Sequence, residues 1–292
     1  MKIGFIGLGL MGRAMVGRLQ DKGHELTVLG HRDRTGVEAA LARGGREAAN
    51  ARDLTETSEV VMLCVATSAQ VEARMRGADG VIAGLAPGKV VIDFGTSLPA
   101  STLALGAEVR AAGADMMDAP LGRTPSHAKD GKLNIMAAGS EQTFARMKPL
   151  FEDLGENIFH LGPLGAGHTI KLINNFYAMT SVQALSEAFA VCDLAGVSRK
   201  ALYDVLSAGP NGSGMMDFVK AYAVDGDPEK LAFTLANANK DVGYYAEMVR
   251  ALGPNSIMAR GALEATARAI EEGHGGDLVP QMVDSYARWF KG

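Results

Sequence analysis

The chain has 292 residues, of which 47% are hydrophobic and 21% charged, and its formal net charge is −4. That length suits two domains, the composition is that of an ordinary folded protein, and the negative balance gives no electrostatic support to nucleic-acid binding. Two cysteines, Cys64 and Cys192, sit far apart in apolar surroundings and predict free thiols in a reducing cytoplasm, while six scattered histidines lack metal-ligand spacing and predict no metal. No apolar run reaches the roughly 20 residues of a membrane span, and a strand predicted from residue 2 is expected to leave no room for a signal peptide.

Taken in chain order, Lys2-Ile3-Gly4-Phe5-Ile6 predicts a short strand, and Gly7-Leu8-Gly9-Leu10-Met11-Gly12 follows it directly. Leu10, Met11, Ala14, Met15 and Leu19 then repeat at helical spacing as far as Gly23. The glycines therefore sit on a strand-to-helix turn. Gly7 permits the turn, Gly9 lets backbone approach a diphosphate, and Gly12 lets helix and strand pack closely. The positive end of the helix dipole faces the anion. Further strands are predicted at 25–29, 59–65, 89–94, 114–117, 134–138 and 157–160, with helices between them, for example at 36–43 and 100–112. Strands alternating with helices imply an α/β fold built on a doubly wound parallel sheet of Rossmann type.

The end of the second strand normally carries the residue that reads the adenosine ribose, an acid in an NAD enzyme. Here the sequence is Leu29-Gly30-His31-Arg32-Asp33-Arg34. Gly30 or His31 takes the acidic position, and Arg32, together with Arg34, offers charge to a 2′-phosphate. This favours NADP(H). Asp33 reaching the ribose hydroxyls keeps NAD(H) as the alternative.

At Gly162-Pro163-Leu164-Gly165-Ala166-Gly167 the texture changes. Beyond it no strand pattern recurs, and helices are predicted at 168–195, 198–207, 213–222, 230–252, 256–272 and 279–290. The expected organisation is a dinucleotide-binding domain over 1–163 and an all-α domain over 164–292, joined by the long helix.

Lys171 is the only Lys, Arg, Asp or Glu between Glu156 and Glu187. An ammonium in so apolar a stretch is costly to desolvate. Asn174 and Asn175 follow at i+3 and i+4, so the three side chains can share one helix face. A cation beside two amides can bind a carbonyl and donate a proton. On the pattern alone, a lysine snorkelling to solvent at a helix start explains the residue equally well. Asp118-Ala119-Pro120-Leu121-Gly122-Arg123-Thr124 closes a late strand. Gly122, Arg123 and Thr124 offer backbone N–H, a planar cation and a hydroxyl to an anion. An ordinary surface loop with a solvated arginine is the competing explanation.

The G-L-G-x-M-G turn, the D-A-P before a glycine-containing loop, the G-x-G-x-x-x-K-L-x-N-N segment and a later Lys240-Asp241 together resemble the β-hydroxyacid dehydrogenase family, whose best-known member is 3-hydroxyisobutyrate dehydrogenase. The resemblance runs nearly end to end. It implies a Rossmann domain, a long interdomain helix and an all-α domain that builds homodimers or homotetramers. It makes Lys171 the general acid/base and Asn175 the residue that orients substrate, with Asn174 as helper. It places Thr96 of Asp93-Phe94-Gly95-Thr96-Ser97 at the nicotinamide side, Val65-Ala66-Thr67 over the adenosine side, and Lys240 near the nicotinamide and substrate. The implied substrate is a small anionic 3-hydroxy acid or its aldehyde. The family's usual Ser-Gly-Gly is replaced here by Gly122-Arg123-Thr124, which resembles the sulfolactaldehyde reductase branch, where the arginine receives a sulfonate. Sulfolactaldehyde or succinic semialdehyde therefore stand as alternative substrates. From another class, a nucleotide-binding module without catalysis is disfavoured because such relatives lose the lysine matching Lys171.

Overall fold

Strand β1 (Lys2–Ile6) turns Ile3 and Phe5 to one face and Ile6 to the other, and all three are buried. The same alternation recurs in the neighbouring strands. Val60 and Met62 join one core while Val61 and Leu63 join the other; Ile92 and Val91 divide likewise. Such near-continuous apolar runs are what a parallel sheet covered on both faces requires. The computed structural model describes residues 1–292, which divide into two units, Met1–Lys171 and Leu172–Gly292.

In the first unit the chain runs β1, α1 (Leu10–Asp21), β2 (Glu25–Leu29), α2 (Thr35–Leu41), β3 (Arg46–Ala48), α3 (Ala51–Glu56), β4 (Val60–Leu63), α4 (Ser68–Met75), β5 (Val90–Asp93), α5 (Pro99–Ala111) and β6 (Asp115–Asp118). These six strands form one parallel sheet in the order β3-β2-β1-β4-β5-β6. The order reverses beside β1, and the crevice outside the strands' carboxyl ends at that point is where open α/β sheets take their ligands. β3 escapes the sequence pattern because Arg46-Glu47-Ala48 has no apolar run and lies exposed at the sheet edge.

The late strands depart from the expected parallel sheet. β7 (Leu121–Gly122), β8 (Leu133–Ala137) and β9 (Gly155–His160) form a separate three-stranded sheet, with α6 (Pro125–Lys129) and α7 (Glu141–Leu154) between them. β7 and β8 pair antiparallel and β8 and β9 parallel. The connection over 123–132 is too short for the crossover a parallel pair needs, so the chain doubles back.

Helix α8 (Ala166–Ala195) begins in the first unit, and the division of the chain falls within it. The second unit continues with α9 (Arg199–Ser207), α10 (Gly214–Ala223), α11 (Leu235–Ala251), α12 (Ile257–Ala269) and α13 (Met282–Lys291). Ser198, Ser213, Thr234 and Ser256 each start a helix by accepting a hydrogen bond from a backbone N–H three residues on. The core of this unit is built from Val182, Phe189, Val219, Leu235, Val242, Met282 and Val283. No helix is long and apolar enough to cross a membrane.

Candidate cofactor and catalytic site

The turn after β1 is shaped by backbone crowding. Gly7 has φ +103°, and a Cβ there would stand 2.3 Å from the Cys64 carbonyl oxygen. A Cβ on Gly12 would stand 1.9 Å from the Gly7 carbonyl oxygen. A Cβ on Gly9, by contrast, would meet no atom within 4 Å. Gly9 occupies the N-cap of α1 and has no side chain to cap it, and no acid lies in the first turn. Backbone N–H groups at a helix start, open space before them and no competing carboxylate fit a diphosphate. A nicotinamide dinucleotide is a cofactor that this turn, Gly7-Leu8-Gly9-Leu10-Met11-Gly12, could hold.

Beyond β2, His31, Arg32, Asp33 and Arg34 are all exposed. Arg34 donates to both Glu47 oxygens, at 2.6 and 2.8 Å. The Asp33 carboxylate accepts from the Thr35 backbone N–H at 2.9 Å and hydroxyl at 2.6 Å, and these bonds hold it below the usual carboxylate range. Arg34 and Asp33 are thus engaged within the chain, which leaves His31 and Arg32 at the strand end.

Two loops follow the central strands. In Val65-Ala66-Thr67, the Thr67 hydroxyl accepts from the Gln70 backbone N–H and so starts α4. The buried Asp93 carboxylate accepts from the Gly95 N–H and the Ser97 hydroxyl, both at 2.8 Å. That folds the loop over itself and leaves Thr96 half-buried at its bend. Cys64 is inert beside it, since burial and the nearby Asp93 charge push its thiol up to about 12.

In the 122–124 segment Arg123 is engaged within the chain. Arg123 adopts φ +76°, unusual for a residue with a side chain. Its guanidinium donates to the Lys132 carbonyl at 2.7 Å and to the Glu156 carboxylate, which Arg123 holds below its ordinary range. The guanidinium is therefore already engaged by a carboxylate of this chain. The Thr124 hydroxyl lies 2.8 Å from His127 Nδ1.

On α8, Lys171 is half-buried, less enclosed than a core position. The uncharged stretch around it is two-sided: Leu172 is fully buried, while Ile170 and Ile173 are 42% and 44% exposed. Four residues on, Asn175 is 7% exposed. Its amide donates to Asp241 at 2.6 Å and accepts from Asn174, itself exposed, at 3.2 Å. Asp241 on α11 is 2% exposed, and Lys240 Nζ stands 2.8 Å from its other oxygen and 5.2 Å from the centre of the Tyr244 ring. Asp241 therefore fixes which way the Asn175 amide faces, a role that sequence spacing, 66 residues apart, gives no sign of.

Comparison with known proteins shows the family. Residues 2–162 match the family profile described as the NAD binding domain of 6-phosphogluconate dehydrogenase. Residues 165–286 match that described as the NAD-binding domain of NADP-dependent 3-hydroxyisobutyrate dehydrogenase. The chain is 32% identical to 2-hydroxy-3-oxopropionate reductase of Escherichia coli over 257 residues, covering 87% of this chain and 86% of that protein. It is 29% identical to 3-sulfolactaldehyde reductase of the same organism over 273 residues, covering 94% and 91%. The structure of a Mycobacterium tuberculosis 3-hydroxyisobutyrate dehydrogenase with L-serine superposes with a TM-score of 0.84 at 24% identity, covering 97% of this chain and 98% of that one, which shows the shared fold. Fold, phosphate turn and relatives define an NAD(P)-dependent oxidoreductase. The chain belongs to the β-hydroxyacid dehydrogenase family.

Proposed function

We propose that the protein is an NADP(H)-dependent dehydrogenase that interconverts a small anionic 3-hydroxy acid and its semialdehyde, with Lys171 as proton donor and acceptor. The observation that carries this is the spacing, four residues apart on one helix, of a half-buried lysine and Asn175, whose amide Asp241 orients. The bound nicotinamide supplies or takes the hydride. In the reducing direction Lys171 gives a proton to the carbonyl oxygen and its charge stabilises the developing alkoxide. Asn175, with Asn174 beside it, fixes the carbonyl, and Lys240 keeps Asp241 paired. Residues 122–124 receive the remote acid group, so binding energy away from the reacting carbon supports its orientation. Val65, Ala66, Thr67 and Thr96 line the cofactor's path.

The test is loss of absorbance at 340 nm with NADPH and a panel of methylmalonate, succinic and tartronate semialdehydes and sulfolactaldehyde. Turnover of at least one supports the proposal, and turnover of none with cofactor still bound contradicts it. A sulfonate substrate is the second reading, favoured by Arg123 at the position where the common pattern has glycine. Arg123→Gly is expected to relieve the left-handed backbone and to raise KM most for the bulkiest anion. Equal KM changes for carboxylate and sulfonate substrates contradict a selective role.

NADP(H) over NAD(H) is supported by the engagement of Asp33 with Thr35 and of Arg34 with Glu47, which leaves Arg32 to meet a 2′-phosphate. Arg32→Asp should shift the NADPH-to-NADH ratio of kcat/KM toward NADH; an unchanged ratio argues against it. A homodimer or homotetramer accords with the apolar side chains left exposed along α8, Tyr177, Val191 and Leu194.

A further inference from the structure

One buried polar cluster lies outside the groups just assigned, and all of it belongs to the first unit. His168 is 0% exposed at the start of α8, one turn before Lys171. Its Nδ1 lies 2.8 Å from the Thr102 hydroxyl on α5. Its Nε2 has no hydrogen-bond partner and faces the Asp93 carboxylate of β5 at 3.7 Å. Asp118, at the end of β6 and 0% exposed, accepts from the backbone N–H groups of Gly165 and His168, both at 2.7 Å.

Asp118 thus caps α8 from a separate strand, satisfying two N–H groups that the helix start leaves open. Burial raises its pKa, the neighbouring His168 and the two N–H bonds opposing that rise. The first turn also lies hard against the sheets. A Cβ on Gly167 would stand 2.3 Å from the Met136 carbonyl oxygen and 2.8 Å from Asp118 Oδ2. Asp118 and the close approach of Gly167 set where the axis of α8 begins. The His168 ring adds a sideways tie from the same turn to Thr102, and Lys171, at i+3, lies on the helix face that this tie holds. Buried polar groups of this kind are retained where a single arrangement must be specified.

We propose that His168 is a positioning residue for Lys171: tethered to Thr102 and enclosed by the Asp93 and Asp118 carboxylates, it fixes the turn of α8 that carries the amine. The proposal rests on Lys171 being the proton donor. Misplacement of a catalytic group by about 1 Å can cost roughly 10²-fold, so His168→Ala is expected to lower kcat by roughly 10- to 100-fold with little change in KM.

A double-mutant cycle tests it, with NADPH and whichever of the four aldehydes turns over fastest. Acting through Lys171, His168→Ala should lower kcat no further in a Lys171→Ala background. His168→Asn, which keeps a polar group near the Nδ1 position, should recover most of the loss. Thr102→Val removes the tether while leaving the histidine in place, and serves if His168→Ala fails to fold. It should reproduce part of the loss. In the protein without substrate, it should also speed amide hydrogen exchange over the first turn of α8 and not elsewhere. Losses that multiply in the Lys171→Ala background, or an unchanged kcat and unchanged exchange in Thr102→Val, overturn the proposal. Full kcat in Lys171→Ala alone instead overturns the assignment of Lys171 on which it rests.

Discussion

Lys171→Ala is expected to lower kcat by roughly 10²–10⁴-fold, the range of a positioned general acid, while NADPH binding stays near normal. In the proposed reaction charge gathers on the carbonyl oxygen as hydride arrives, and the Lys171 ammonium both neutralises that charge and supplies the proton. Asn175 and Asp241 remain paired without it, so substrate orientation is largely preserved and the loss falls on kcat. Lys171→Arg separates the two contributions. It restores a positive charge, but guanidinium does not release its proton in the working pH range, and most of the loss in kcat should persist. Steady-state rates at 340 nm and fluorescence titration with NADPH check both variants. A Lys171→Ala protein with full kcat removes the residue from the mechanism.

The second large effect separates two glycines of one turn. Gly12→Ala forces a methyl group to within 1.9 Å of the Gly7 carbonyl oxygen, so α1 must move away from β1. Overpacking of this kind costs roughly 1–3 kcal/mol or more, and both stability to denaturant and NADPH affinity should fall. Gly9→Ala meets no atom within 4 Å, so folding stability should be unchanged. Its methyl group enters the space before the helix N-terminus, and NADPH affinity should fall by about tenfold or more, each tenfold being about 1.4 kcal/mol. Equal stability losses in the two variants, or normal affinity in Gly9→Ala, contradict the assignment of this turn to the diphosphate.

The parts of the fold visible in the sequence are those that local periodicity writes. β1 and β2 fall at 2–6 and 25–29 as their apolar runs predict, and the helices from α8 onward follow their 3.6-residue repeats, with Ser or Thr caps starting α9, α10, α11 and α12. β3 was invisible because an exposed edge strand needs no apolar run. The antiparallel pairing of β7 with β8 depends on connection length rather than on composition. At the site, the Lys171, Asn174 and Asn175 spacing could be read because it lies within one helix. The partners that define those side chains could not. Arg123 meets Glu156 only because β7, β8 and β9 come together, and Asn175 meets Asp241 only because α8 and α11 pack in one unit. His168 carried no signal at all as one of six scattered histidines; its meaning comes from Thr102, Asp93 and Asp118. The absence of charge around Lys171 left burial and snorkelling equally open; in the structure the lysine is half-buried, with Ile170 and Ile173 exposed on the helix beside it.

The most direct measurement is a crystal structure of the protein with NADP+ and the hydroxy acid of its best substrate. Lys171 Nζ is expected within hydrogen-bond reach of the hydroxyl oxygen, about 2.6–3.2 Å, with the Asn175 amide on the same oxygen or its neighbour. An amine directed into bulk solvent, or separated from that oxygen by more than one water, would leave a nucleotide-binding scaffold without the proposed chemistry.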